Sequence, residues 1–435
     1  MLINKAIKVR IYPNKKQEEF FECNFNCTRF IYNKLLDLRT QYYLENKNNK
    51  EKLKQYKALT EKELKKEFEF LCEADAVALQ QANRDLFSAF QNYFRKVKEN
   101  KLTKLSSEKL ARLNNKQFKT EVSRFISYHP DYPQFKSKKD NHNSYRTFDS
   151  NREYLSVDNN LNKIRLTKIG WVKFKHSHPI PENIKSVTIS RNPSNEYYAS
   201  LLYEDVNEAE KLLEVNEDDC IGLDMSAHSF AIASNNEVFT NEKFYRRNER
   251  RLKIRQRKLS KKEFKSNNRN KAKLIVARTY QKITNQKDYF LHGLTKYLSD
   301  KYKAIFIEDL NIKGMQKFNS GLAKTVSHDL SWSKFVTMLN YKMNWKGGYL
   351  IKIDRFFPSS KMCSVCGLIN KNLTLSDRVW TCECGVFHDR DKNASINILK
   401  EGINLLKKST VVITESYALR DMRLVTDSAS EELLF

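Results

Sequence analysis

Two short cysteine pairs, CSVCG at 363–367 and TCECG at 381–385, constrain this chain more than any other feature. Thiols this close, with 15 residues between the pairs, match a ribbon folded around one tetrahedral cation. The ligands read as Cys363, Cys366, Cys382 and Cys384. The second pair is CxC, tighter than the usual CxxC, which leaves His388 as an alternative donor. An all-thiolate site has no open position, so its zinc is structural rather than catalytic. The other four cysteines, Cys23, Cys27, Cys72 and Cys220, are scattered, which excludes a disulfide framework and fits a reducing cytosol. Just past the second pair comes HDRDKNASINI at 388–398. It sets Asp391 where a helix begins, with Ala394, Ile396, Ile398 and Leu399 to pack that helix.

Two further acids sit at the ends of apolar runs upstream. Asp224 ends CIGL and Glu308 ends AIFI. In a ribonuclease-H-like fold the first and fourth strands lie side by side, and their acids meet a carboxylate from a late helix. Three carboxylates in one pocket repel unless divalent cations neutralise them. Mg2+ takes such oxygen ligands and keeps several waters. Two ions about 3.5–4 Å apart can activate a water and stabilise a leaving 3′ oxygen. A strand-end acid alone says little; order, spacing and flanking residues make the signal. Ser-His-Asp and Cys-His pairings are not indicated. Walker and Rossmann glycine loops are missing from a chain with only ten glycines.

The charge names a partner class. Lys and Arg number 79 against 52 Asp and Glu, a net +27 over 435 residues. Such an excess favours a polyanion held by counterion release. Residues 246–282 hold 16 Lys or Arg against Glu249 and Glu263. Intrahelical ion pairing cannot offset that self-repulsion, but a phosphate backbone can. Arg250, Arg251 and Arg255 are therefore expected to line a nucleic-acid channel. No apolar run approaches the roughly 18 residues of a membrane span. The N-terminal MLINKAIKVRIYPNKK lacks the apolar core of a signal peptide. The expected location is the cytoplasm, with the nucleoid as the place of action.

Periodicity divides the chain. Ile7, Val9 and Ile11 alternate with Lys8 and Arg10, a half-buried strand that Pro13 stops. Asn14 and Gln17 form a capping-box pattern opening a helix that buries Phe20, Phe21, Ile31, Leu35 and Leu36. A second helix over about 76–97 carries Leu79, Leu86, Phe90, Tyr93 and Val97 as a core stripe. Composition changes near 121, and short β runs follow at 147–157, 163–175 and 186–206. They read as a small antiparallel barrel or sheet, with turns at Gly170 and at Asn-Pro-Ser-Asn 192–195. Lys173, Lys175 and Arg191 interleave there with Trp171 and Phe174, a mix suited to phosphate contact and base stacking. An acidic linker spans 207–219, then apolar strands at 220–223 and 230–233, and the tail past 402 has weak periodicity.

The segments IGLDMSAHSFAIAS, RTYQKITNQKDYFLH, IFIEDLNIKGM, FFPSSKMCSVCG and WTCECGVFHDRDKNASINIL, in that order, resemble the RuvC-like nuclease of transposon-encoded TnpB proteins and of the compact type V CRISPR effectors. The opening AIKVRIYPNKKQEEFF…CTRFIYNKLL resembles the same family. The likeness covers 5–36 and about 218–402; 40–215 resemble it only in plan. After Asp224 this chain has Met225-Ser226-Ala227-His228, where the family often has glycine and a Lys- or Asn-rich turn.

The resemblance implies a multidomain α+β protein. An oligonucleotide-binding β-barrel (wedge) with a helical recognition insert precedes an RNase H-like α/β RuvC nuclease domain carrying an inserted zinc ribbon. On that plan 1–12 form the first wedge strand, 13–120 the helical recognition domain and 121–215 the wedge barrel. Residues 218–357 are the first part of the nuclease, 358–386 the ribbon, and 387–435 the last part and tail. The implied activity is RNA-guided cleavage of double-stranded DNA beside a short motif, by a monomer carrying an omega-type guide RNA from the transposon end. Asp224, Glu308 and Asp391 would hold two Mg2+, and the four cysteines one Zn2+. Alternatives within the resemblance are a compact type V CRISPR effector and a nuclease-dead, RNA-guided DNA-binding repressor.

Overall fold

The computed structural model describes residues 2–140, 143–149, 155–176, 179–206, 215–316, 321–374 and 376–424. The chain forms two compact units, Leu2–Val206 and Asn207–Phe435. Parts of the expected β run 147–157 and of the acidic linker 207–219, and the tail beyond 424, lie outside the described residues.

In the first unit the early alternation makes strand β1 (Leu2–Tyr12), with Val9 and Ile11 buried and Lys8 and Arg10 exposed. Pro13 follows, and Asn14 caps the helix Lys15–Asn46. Its side chain accepts from the Gln17 N–H at 2.9 Å, while the Gln17 side chain accepts from the Asn14 N–H at 3.0 Å. Phe21, Ile31, Leu35 and Leu36 are buried, and Phe20 is partly so. In the helix Ala76–Lys98 the buried stripe is Leu79, Leu86 and Phe90; Val97 is 39% exposed, because the core ends a turn before the helix does.

Helices also run past the compositional break. Thr120 caps a helix at Glu121–Tyr128, and Val122 and Ile126 join the helical core. The local cap and an i,i+4 apolar pair override the compositional change. Strands β2 (Asn143–Thr147), β3 (Ser156–Asp158), β4 (Lys163–Leu166), β5 (Gly170–Lys175), β6 (Ile184–Arg191) and β7 (Tyr197–Val206) join β1 in an antiparallel sheet. Its order is β2-β6-β7-β1-β5-β4-β3. Gly170 takes φ +69° at the β4–β5 turn. One face of the sheet encloses Val9, Ile11, Ile164, Val172, Val187, Ile189 and Leu201 in a single core.

The second unit is a five-stranded mixed sheet between helices. Its strands are β8 (Cys220–Asp224), β9 (Ala231–Ala233), β10 (Val238–Phe239), β11 (Ala304–Glu308) and β12 (Tyr349–Ile353), in the order β10-β9-β8-β11-β12. β8, β9 and β10 form an antiparallel meander; β11 runs parallel to both β8 and β12. The two central strands are buried on both faces, which is why they read as unbroken apolar runs. Ile221, Leu223, Ile305 and Ile307 pack under the helices Asn267–Lys301 and Trp332–Trp345. Cys220, Ala304 and Phe306 pack under the final helix, Arg390–Leu424. Each large side chain buried here contributes about 1.5–3 kcal/mol. The basic stretch folds as two helices, Phe244–Ser260 and Asn267–Lys301. The ribbon's strands, β13 (Val379–Thr381) and β14 (Phe387–Asp389), lead straight into the final helix, which continues through the weakly periodic part of the tail to Leu424.

Candidate functional site

Asp224 and Glu308 end the two adjacent parallel strands β8 and β11, whose register pairs Leu223 with Ile307. Both acids therefore leave the same edge of the sheet, side by side. Asp391 is the second residue of the final helix, and that helix is seated on these same strands by two glycines. A Cβ at Gly222 would lie 2.3 Å from the Ser395 carbonyl oxygen and 2.6 Å from the Leu399 nitrogen. A Cβ at Gly402 would lie 2.1 Å from the Phe306 ring. Only glycine allows backbone and helix to approach so closely. The two acids of HDRD divide the work. The Asp389 carboxylate accepts from the Lys392 N–H at 2.9 Å and caps the helix, leaving Asp391 to face the strand ends.

The electrostatics show how near the three acids stand. The Asp224 carboxyl is pushed well above its ordinary 3.8, first by burial and then by the negative charges of Glu308 and Asp391. Arg390 and Arg378 offset only part of this. Both guanidinium groups contact Asp391, at 3.3 and 3.4 Å. Glu308 Oε1 accepts from Ser359 Oγ at 2.6 Å. The neighbouring Asp309 is drawn away by Lys352 and Arg355, so it belongs to the sheet edge rather than to this group. The three acids do not close to within 4.8 Å of one another as a set. Burial and like charge make Asp224 costly as a bare anion, and a divalent cation with oxygen preference fits such a donor set.

The cysteines have converged further. Cys363, Cys366, Cys382 and Cys384 are the only group of three or more His, Cys, Asp or Glu, among the described residues, with ligand atoms all within 4.8 Å. The sulfurs of Cys366 and Cys382 lie 3.5 Å apart, and those of Cys363 and Cys384 3.8 Å. A tetrahedral site with 2.3 Å metal–sulfur bonds requires about 3.8 Å, so the donor set fits zinc. His388 contacts the cluster from outside, with Nε2 3.0 Å from Cys363 Sγ. Burial pushes the Cys363 thiol up, but the Cys366 and Val365 N–H groups and His388 outweigh it and bring it down to about 5. At Cys382 the Cys384 N–H lowers the thiol, but burial and the neighbouring thiols outweigh it and push it up to about 12, as expected of thiols that cannot all ionise together without a cation.

Asn393 and Asn397, one turn apart on the final helix and both buried, tie the ribbon down. Asn393 accepts from the Ser364 N–H at 2.9 Å and donates to the Met362 carbonyl at 2.7 Å. Asn397 donates to the carbonyls of Ser359 and Met362 at 2.8 and 2.6 Å. The sequence held a signal for this pair: two asparagines at i,i+4 near the start of a helix otherwise packed by Ala394, Ile396 and Ile398.

The basic candidates separate. Arg250 and Arg251 are exposed on the helix Phe244–Ser260. Arg255 is half-buried and donates to Thr279 Oγ1, clamping this helix to Asn267–Lys301. In the first unit, Lys173, Lys175 and Trp171 share the exposed face of β5, while Phe174 turns into the core. Arg10 stands opposite Lys175, and both Tyr12 and Lys163 stand opposite Lys173, which widens that basic and aromatic face.

Three family profiles match: one described as "Probable transposase" over 201–319, a "Cas12f1-like, TNB domain" over 332–398, and a "Helix-turn-helix domain" over 1–48. Over 2–48 the structure is β1 followed by one 32-residue helix. A "Putative RNA-guided DNA endonuclease" of Streptomyces pristinaespiralis is 34% identical over 404 residues, covering 92% of this chain and 90% of the relative. One of Escherichia coli (strain K12) is 25% identical over 414 residues, covering 92% of each. A "TnpB-like protein" of Acanthamoeba polyphaga mimivirus is 31% identical over 144 residues, covering 32% of this chain and 27% of the relative. Among solved structures, a chain of a Cas12f1–sgRNA–target DNA complex is similar with a TM-score of 0.42 at 12% identity, over 92% of this chain and 99% of that one. The profile matches and the near-full-length relatives define a class of transposon-related proteins. The chain belongs to its TnpB family.

Proposed function

We propose that this protein is an RNA-guided DNA endonuclease of the TnpB type, cutting double-stranded DNA beside a short motif under the direction of a transposon-derived guide RNA. The observation that carries the reading is the gathering of Asp224, Glu308 and Asp391 where β8, β11 and the final helix meet, in a chain of net charge +27. The five-stranded sheet is read as ribonuclease-H-like and the seven-stranded sheet as an oligonucleotide-binding wedge with a helical insert. The near-complete likeness to relatives described as RNA-guided DNA endonucleases supports the same conclusion.

Asp224 and Glu308 would hold two Mg2+ from the strand ends, with Asp391 completing the set from the helix. Bound Mg2+ supplies an activated water and charge stabilisation at the leaving 3′ oxygen. Arg378 and Arg390, which contact Asp391 at 3.4 and 3.3 Å, would place positive charge beside the acids where a scissile phosphate would bind. Pairing between guide and target would supply sequence choice, so the protein grips backbone and shape. The four cysteines would hold one structural Zn2+.

Asp224→Ala should lower the cleavage rate at least about a thousandfold while guided DNA binding persists, because the residue holds metal rather than nucleic acid. Cleavage at the wild-type rate would remove the reading. Arg250→Glu with Arg251→Glu should weaken DNA binding and reduce its salt slope by about one for each phosphate no longer neutralised. An unchanged slope would exclude these two from the channel.

A further inference from the structure

We propose that Ser359 is a positioning residue for Glu308, and that through it the cysteine ribbon sets the geometry of the acid centre. The inference rests on the reading of the acids as a metal-holding group and deepens it. Ser359 is 4% exposed and stands four residues before the first ribbon cysteine, Cys363. Its hydroxyl donates to Glu308 Oε1 at 2.6 Å. A carboxylate pinned by one oxygen keeps the other for a cation and loses the freedom to swing away, so its orientation is fixed before the ion arrives.

Ser359 is in turn held from the helix side. Asn397 donates to its carbonyl at 2.8 Å. The turn that carries it closes with the Lys361 and Met362 N–H groups donating to the Pro358 carbonyl at 3.0 and 2.9 Å. Asn393 and Asn397 both clamp the Met362 carbonyl, Asn393 also accepts from the Ser364 N–H, and Lys400 donates to the Ser364 carbonyl. The helix that carries Asp391 therefore grips residues 359–364 at three successive turns, and the first residue of that segment grips Glu308. Two of the three acids share one polar network with the cysteine site. Ser359 is neither one of the thiolates nor one of the acids; its hydroxyl ties Glu308 to the segment that leads into the cysteines, as Arg378 ties Asp391 to the ribbon.

The test uses the full-length, zinc-loaded chain. Mn2+ binding is followed by electron paramagnetic resonance without nucleic acid, and the Mg2+ dependence of cleavage is measured on the guided complex. Ser359→Ala should weaken Mn2+ binding about 10–100-fold and raise the half-maximal Mg2+ concentration by a similar factor. Zinc content and guided DNA binding should stay at wild-type values. Ser359→Cys, slightly larger and with a weaker donor, should fall between the two. Unchanged Mn2+ affinity and Mg2+ dependence in Ser359→Ala would overturn the proposal. Should Ser359→Ala lose zinc, Ser359→Cys is read in its place, and wild-type Mn2+ affinity there overturns it equally. Glu308→Gln separates the two levels. Wild-type Mn2+ binding and cleavage in Glu308→Gln would sink the acid centre itself. Impairment there beside a wild-type Ser359→Ala would sink Ser359 alone.

Discussion

The two candidate cation sites of the C-terminal unit differ in how completely their donors have met. The cysteine sulfurs lie at separations a tetrahedral ion requires, 3.5 and 3.8 Å between the paired knuckles, and no fifth donor position remains. Two acids share a sheet edge and the third comes from the final helix, yet the three do not close to 4.8 Å, and each has another partner or a penalty: Ser359 on Glu308, two arginines on Asp391, burial and like charge on Asp224. A site that only holds structure can be closed in advance. One that must admit ions, a water and a phosphate has to stay open, and it carries repulsion until they arrive. The first should fail by unfolding, the second by losing activity.

The largest expected effect tests the closed site. Cys363→Ser should lose zinc by elemental analysis and lower the melting temperature by roughly 10 °C, on a scale of about 2–4 °C per kcal/mol for a unit of this size. Cleavage should fall with it, because the segment 359–364, which Asn393 and Asn397 hold and which carries Ser359, loses its fixed end at Cys363. Normal melting without zinc would mean that the ribbon folds by packing alone, and the contrast between the sites would dissolve. Gly222→Ala should have a smaller effect and reach only the open site. Its Cβ would press on the Ser395 carbonyl at 2.3 Å, so the final helix must shift, costing about 1–3 kcal/mol. Cleavage should drop about tenfold with zinc content unchanged. A wild-type rate would show that the seat of this helix does not control Asp391.

Much of this was legible because it was local. Strand-end acids after buried apolar runs, cysteine spacing and the Asn14–Gln17 cap are decided by neighbours within a few residues, and the sequence carries them directly. Asp389 could have been mistaken for Asp391 by chemistry alone; the helix start decides between them, since only the first lies at the capping position. The helix at Glu121–Tyr128 was hidden because its cap and two core residues sit in a segment rich in Pro, His and Asn. Ser359, Arg378 and the inward turn of Phe174 were hidden for a different reason: each depends on a partner distant in the chain. Arg255 belongs with them. A basic run reads as one solvated or nucleic-acid-facing surface, and only the pairing of its helix with Asn267–Lys301 shows that this arginine is spent on Thr279.

The smallest expected effect bears most directly on why the open site is open. Burial and the charges of Glu308 and Asp391 raise the Asp224 carboxyl above 3.8, so the folded protein resists ionising it. Below pH 3.8 the group is protonated folded and unfolded alike, and nothing is lost. As pH rises past that value the unfolded chain releases the proton first, and stability declines until the folded group also ionises, after which the deficit is constant. Asp224→Asn removes the charge and keeps the shape. In EDTA at neutral pH it should melt a few °C above wild type, and the gain should shrink to nothing as pH falls below about 3.8. Adding Mg2+ should narrow the gap from the other side, since wild type alone gains the ion's neutralising charge. A variant that melts below wild type in EDTA would mean that Asp224 stabilises the fold as it stands. The repulsion would then have no part in keeping the acids apart.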